Sequence, residues 1–152
     1  MTTPPSFLTA EMREQAIGTQ SSPLTMEVEK GAIMKFAEAI GDSNPLWTDE
    51  VTARKSRYGG LIAPPTFLRC IRIERPELPF ELPFTRLLDG GSDWEYFQPV
   101  RVGDRITAKN EMIDLQERVG RMGLMIIMTN LITYVNQFEE VVATQTNTSI
   151  RY

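Results

Sequence analysis

The chain has 152 residues, about one domain's length, and at that size roughly 68–70% of the unfolded surface is buried on folding, enough for a real core. Hydrophobic residues make up 41% and charged residues 24%, with 16 basic against 20 acidic side chains for a net charge of −4, and no basic stripe with interleaved aromatics appears, which argues against nucleic acid as a partner. There is no histidine and Cys70 is the one cysteine, which excludes an internal disulfide and leaves no ligand set for zinc or another soft metal.

No run approaches the roughly 18 apolar residues that a bilayer span requires, and the longest candidate, Leu124 to Met128, is strand-sized. The opening Met-Thr-Thr-Pro-Pro-Ser lacks the basic and apolar regions of a secretion signal. These features predict a cytoplasmic protein without a membrane partner.

Residues 1–6 are expected to be disordered. Thr9 is placed to cap a short helix with Glu11 in its first turn, ended by Gly18, and Gln20 to Pro23 link it onward. The expected organisation is an N-terminal segment, 1–20, followed by a single domain, 21–152. Leu24, Met26 and Val28 alternate with polar residues and predict a half-buried strand from Leu24 to Glu29. The period then changes: Ile33, Phe36, Ala37 and Ile40 mark an amphipathic helix from Lys30 to Ile40, and Gly41 terminates it.

Asp42 therefore falls just past a helix end, in a rigid turn. Thr48 is the expected cap of a second short helix, with Asp49 and Glu50 in its first turn and Arg54, Lys55 and Arg57 towards its end, the order the helix dipole favours. After Tyr58-Gly59-Gly60 breaks the chain, Pro64-Pro65 sets up a helix from Thr66 to Arg72 or Ile73 with Phe67, Cys70 and Ile71 on one face. The proline-punctuated stretch from Pro76 to Phe84 suits neither a regular helix nor a central strand, and reads as a connector that tucks Phe80 and Phe84 into the core, or else as a loop that rims a binding site. Four strands complete the chain: Leu87 to Phe97, Arg105 to Glu117, Leu124 to Val135 and Val141 to Ile150, with turns at Pro99–Asp104, Gly120–Gly123 and Asn136-Gln137.

The segment Gly-Asp-Ser-Asn-Pro-Leu-Trp-Thr-Asp from Gly41, joined to Tyr58-Gly59-Gly60-Leu61-Ile62-Ala63-Pro64, resembles the signature of the MaoC-like hydratases and dehydratases. A second block continues the resemblance, from Asp89-Gly90-Gly91 through Glu95-Tyr96-Phe97 to Pro99, Gly103 and Asp104, so that it covers roughly residues 20–152. It implies an α+β hot-dog fold, a curved antiparallel sheet of about five to six strands wrapped around a central α-helix, for which 66–73 is the candidate. It also implies chemistry on enoyl or 3-hydroxyacyl thioesters of coenzyme A or acyl carrier protein, with no cofactor.

Catalytic members of the family read Gly-Asp-x-Asn-Pro-Leu-His-x-Asp. Asp42, Asn44, Pro45, Leu46 and Asp49 match, and Trp47 takes the place of the histidine. An indole offers one N–H donor and no base, whereas histidine gives and takes protons near neutral pH. A second departure is Pro65, where catalytic relatives have a glycine whose backbone N–H polarises the thioester carbonyl; proline has none to give, and Thr66 is the next donor along. A third is Asp89, again in a histidine position, which can act as an acid only if it faces a tunnel that desolvates it.

The matched positions imply a vestigial acid at Asp42 and substrate contacts at Asn44, Pro45, Tyr58 and Gly60. Further contacts are implied at Ile62, Ala63, Pro64, Pro65 and Thr66. Arg54, Lys55 and Arg57 complement a helix dipole on a wet face, or else contact the phosphates of coenzyme A or of a carrier protein. Taken only as a loop, Gly41 is a helix cap, Asp42 and Asn44 are turn formers and Pro45 a stiffener. That account explains the turn but not its joining, at the family's spacing, to 58–64.

Three functions follow from the resemblance. The leading one is the non-catalytic, substrate-binding half of an (R)-specific enoyl-CoA hydratase or 3-hydroxyacyl thioester dehydratase, needing a histidine-bearing MaoC-like subunit as heterodimer partner. The alternatives are a hot-dog homodimer acting as a thioesterase or weak hydratase through Asp42 or Asp89, and a non-enzymatic scaffold for acyl thioesters in which Trp47 plugs the core.

Overall fold

The computed structural model describes residues 6–152, so the expectation of disorder at 1–6 lies, but for Ser6, outside the described residues. Helix α1, Ala10–Ala16, starts where Thr9 accepts a hydrogen bond from Met12 N–H. Strand β1, Leu24–Glu27, leads into α2, Lys30–Ala39, which turns Ile33 and Ala37 into the core. Two short helices follow, α3, Pro45–Thr48, and α4, Glu50–Lys55. After a 3-10 helix, Pro65–Cys70, come β2, Leu87–Tyr96, β3, Arg105–Gly120, β4, Gly123–Val135, and β5, Val141–Arg151.

The five strands form one antiparallel sheet in the order β1-β3-β4-β5-β2, which is the expected α+β arrangement. The long β3, β4 and β5 form its centre, and β2 lies at one edge, where β5 is its one neighbour among the described residues. Asp89-Gly90-Gly91 makes a bulge in β2, where the register shifts between Asp89 and Gly91. Gly91 takes φ +112°, and a Cβ on Gly90 would meet the Thr148 carbonyl oxygen at 3.1 Å, so the bulge demands both glycines.

Three local expectations are corrected. Thr48 does not cap the second helix. Asn44 accepts from Leu46 N–H at 3.0 Å and starts a one-turn helix of which Thr48 is the last residue, its hydroxyl donating back to the Asn44 carbonyl at 2.9 Å. The cap passes to Asp49, which accepts from Val51 N–H at 3.0 Å and Thr52 N–H at 3.3 Å. The first strand ends at Glu27, and Leu24 is 42% exposed rather than inward, whereas Val28 just beyond the strand is buried.

The third correction concerns the helix expected from Thr66 to Arg72 or Ile73. It is the six-residue 3-10 helix Pro65–Cys70, with Ile71 already extended. Proline supplies no N–H to the first turn, and Pro76, Pro79 and Pro83 block continuation, leaving too few i→i−4 bonds to sustain an α-helix. Residues 71–86 cross the sheet without regular structure.

The core consequently divides. Inward residues on β4 are Ile126, Met128, Asn130, Ile132 and Tyr134 in turn. Ile132 and Tyr134 belong to a larger apolar cluster with Ile33, Ala37, Trp47, Phe67 and Ile106. Ile126 and Met128 belong to a smaller one with Leu8, Ala16, Met112 and Leu115, against which Phe80, Leu82 and Phe84 pack. Residues 6–17 are thus part of the same folded body, and Phe80 and Phe84 are tucked in as expected.

Candidate functional site

The loop after α2 is held by its own polar groups. Gly41 adopts φ +69°, Asp42 N–H donates to the Ala37 carbonyl at 2.9 Å, and the Asp42 carboxylate accepts from Asn44 N–H at 3.0 Å. The loop is then tied to the chain that follows: Ile62 N–H donates to the Leu46 carbonyl at 3.1 Å, Ala63 N–H to the Val100 carbonyl at 2.8 Å, and the Arg101 guanidinium to the Tyr58 carbonyl. These bonds bring 46–47, 57–65 and 96–100 around one cleft of about 360 Å³.

Trp47, Tyr58, Ile62, Ala63, Pro64 and Pro65 all line this cleft, so most of the implied substrate contacts do converge. Leu46, Leu68, Tyr96 and Phe97 complete an apolar wall that the sequence reading had not assigned. The Trp47 indole is 9% exposed and its Nε1 is sealed without a hydrogen-bond partner, so it acts as a wall of the cleft rather than as a donor into it. The only N–H between Ala63 and Phe67 belongs to Thr66, which is exposed beside Pro65.

Of the remaining predicted residues, Arg57 reaches the rim of the cleft and the others lie elsewhere. Asp42 borders a separate hollow with Met34, Glu38, Ser43 and Thr48, and does not reach the cleft. Asn44 and Pro45 serve as the cap and first residue of α3. Gly60 lines a polar recess with Lys30, Arg54 and Arg101, where Arg54 and Lys30 pair with Glu50 at 2.8 and 3.1 Å. Lys55 is exposed on the last turn of α4, and Arg57 bridges the rim by donating to the Tyr58 hydroxyl at 2.6 Å. Asp89 is exposed and accepts from Gly91 N–H at 2.9 Å; it faces a different cavity under 69–75, one open to water rather than desolvating.

The titratable groups lining the cleft are Arg57, Tyr58 and Tyr96, and burial pushes the Tyr96 phenol up, further from neutrality. None of these side-chain types is a proton shuttle near pH 7. The cleft can hold an apolar chain, but it carries no base to activate water.

Residues 15–145 match the family described as "FAS1-like, dehydratase domain region". The chain belongs to that family. A UPF0336 protein of Streptomyces avermitilis is 34% identical over 116 residues, covering 70% of this chain and 76% of the relative. A MaoC-like dehydratase from Rhodospirillum rubrum superposes with a TM-score of 0.72 at 27% identity, over 95% of this chain and 97% of that one. The HadBC (3R-hydroxyacyl-ACP dehydratase) complex of Mycobacterium tuberculosis superposes with a TM-score of 0.71 at 20% identity, over 89% and 96%.

The MaoC-like hot-dog fold is therefore that of this chain, and the general kind of protein is a component of the hydratase and dehydratase family. Within that fold the family's hallmark loop is present, but its aspartate and the residue in its histidine position face different cavities.

Proposed function

We propose that this MaoC-like chain is the substrate-binding, non-catalytic half of an (R)-specific enoyl-CoA hydratase or 3-hydroxyacyl thioester dehydratase, working with a histidine-bearing hot-dog subunit. The observation that carries the reading is the buried Trp47 in the histidine position of a thioester-hydratase signature, walling an apolar cleft that contains no base. The thioester, of coenzyme A or acyl carrier protein, is bound and oriented by this chain. The partner subunit supplies the acid, the base and the donor to the thioester carbonyl.

The edge of the sheet supports a partner. Strand β2 is ten residues long with its outer side unpaired among the described residues, and Leu87, Leu88, Tyr96 and Phe97 at its ends are each 45–55% exposed. A long edge strand flanked by exposed apolar side chains is a template for another strand. The similar Mycobacterium tuberculosis structure, described as the HadBC (3R-hydroxyacyl-ACP dehydratase) complex, supports pairing of this general sort.

The test is hydration of crotonyl-CoA. The purified chain alone is expected to give no turnover above the uncatalysed background, and co-expression with a hot-dog subunit that retains Gly-Asp-x-Asn-Pro-x-His is expected to give an active complex. Brisk hydration by the isolated chain overturns the reading.

A further inference from the structure

The polar recess at Gly60 adjoins the apolar cleft, for Tyr58 stands in the wall of both. Its volume is about 290 Å³, and its other walls come from the start of α2 at Lys30, from Glu50 and Arg54 on α4, and from Arg101 in the turn before β3. Stretches far apart in sequence thus converge on one small space.

Three side chains of that lining are cations and one is a carboxylate, a surplus of two positive charges on a chain whose net charge is −4. Each Glu50 oxygen already holds one cation, Lys30 at 3.1 Å and Arg54 at 2.8 Å, and both cations retain further N–H donors. Arg101 donates to the neutral Tyr58 carbonyl and has no carboxylate ion pair among the described residues. Asp104, three residues on, accepts from the Arg101 main-chain N–H at 2.8 Å and from the Gln137 amide at 3.0 Å instead.

The glycine in this wall is not explained by the fold. Gly59 takes φ +69°, but Gly60 lies outside the left-handed region, and a Cβ built on it would meet no atom within 4 Å. Neither backbone conformation nor packing therefore demands a glycine at 60. The main-chain N–H groups of Gly60 and Leu61, both in the lining, have no acceptor among the described residues. A bare glycine beside free N–H groups lets a ligand come close to the main chain.

We infer that the recess is a phosphomonoester site, and that it holds the terminal phosphate of coenzyme A. A phosphomonoester is close to a dianion at neutral pH and matches the surplus of two charges, with Lys30, Arg54 and Arg101 as charge-assisted donors. The inference rests on the proposed reading of the chain as a thioester-binding subunit, and it chooses the carrier. Coenzyme A bears a phosphomonoester on its ribose, whereas the pantetheine arm of a carrier protein ends in a phosphodiester with a single charge. Of the three cations that the resemblance offered for phosphate contacts, Arg54 alone belongs to this site; Lys30 and Arg101 take the places of Lys55 and Arg57.

Titration calorimetry of the full chain with crotonyl-CoA and with its 3′-dephospho analogue tests this, because the two ligands share the acyl group, the pantetheine arm and the diphosphate. Crotonyl-CoA is expected to bind about tenfold more tightly, and the preference is expected to shrink as salt is added. Arg54→Gln is expected to reduce the preference and Glu50→Gln, which frees both of its cations, to increase it, while neither alters binding of the dephospho analogue. Gly60→Leu is expected to abolish the preference by filling the recess. Equal affinity for the two thioesters, or a preference that Arg54→Gln and Glu50→Gln leave unchanged, overturns the inference and leaves the thioester reading in place. Binding of neither ligand overturns both.

Discussion

The main-chain N–H of Ile62 donates to the carbonyl of Leu46 at 3.1 Å, closing the loop that carries Trp47 onto the segment that carries Pro64 and Pro65. One hydrogen bond thereby ties together two departures from the catalytic pattern in the lining of one cleft. Restoring either one alone does not rebuild a site.

Trp47→His is accordingly expected to leave crotonyl-CoA hydration at background, because Asp42 stays bonded to Asn44 N–H in a different hollow and Pro65 still lacks a donor. A steady-state assay of the purified variant checks this. Trp47→Ala is expected to destabilise the fold by about 3–5 kcal/mol, read as a shift of the urea midpoint, since it empties a wall of the larger apolar cluster.

Asp49 is expected to give stability a pH signature at the acid end. Its carboxyl lies below the usual range because the Thr52 hydroxyl and the Thr52 and Val51 amides bond its ionised form. A carboxyl depressed in the folded state stabilises above its unfolded value, 3.8, and that contribution is lost as pH falls through the lower folded value. Asp49→Ala should therefore melt below the parent at pH 7, and the gap should narrow steadily below pH 4. Thermal unfolding across that range measures it.

Tyr134 is expected to give the matching signature at the alkaline end. Burial pushes its phenol up to about 12 from the ordinary 10, and its hydroxyl donates to Gln145 at 3.0 Å. The unfolded chain loses that proton first, so stability is full below pH 10 and falls as pH rises through 12. Tyr134→Phe is expected to remove this alkaline slope and to cost about 1 kcal/mol at neutral pH for the lost hydrogen bond. Denaturant unfolding at several alkaline pH values separates the two effects.

Leu88→Lys, on the exposed edge strand, is expected to weaken co-purification with a histidine-bearing hot-dog subunit while shifting the chain's own stability by no more than about 0.5 kcal/mol. Affinity capture of the co-expressed pair, set beside thermal unfolding of the isolated variant, reads both.

Much of the architecture was legible in the residues. The run rich in Ile, Met and Thr from Leu124 to Val135, the three-and-four spacing of Ile33, Phe36, Ala37 and Ile40, and the caps at Thr9 and Gly41 are local signals, and the elements they predict are present with boundaries moved by a residue or two. The inner polar face was also written there, since Asn110, Asn130 and Gln145 occupy inward phases of their strands, but an amide in an alternating pattern reveals its company only when the strands are registered. The cap expected at Thr48 fell to Asp49, because Asn44 starts a helix of its own that ends at Thr48.

By itself, then, the sequence determined the fold class, the family's loop and the loss of a proton-shuttling side chain, because covalent order and side-chain chemistry are sufficient for all of these. Tertiary structure alone decided that Asp42 and Trp47 face separate cavities, that the helix covering the sheet is cut to Pro65–Cys70, and that buried amides line the inner face of the sheet beneath the chain that follows it. Each of these depends on which distant backbone groups satisfy one another, and long-range pairing such as Ile62 with Leu46 or Asn110 with Glu74 leaves no periodic trace along the chain.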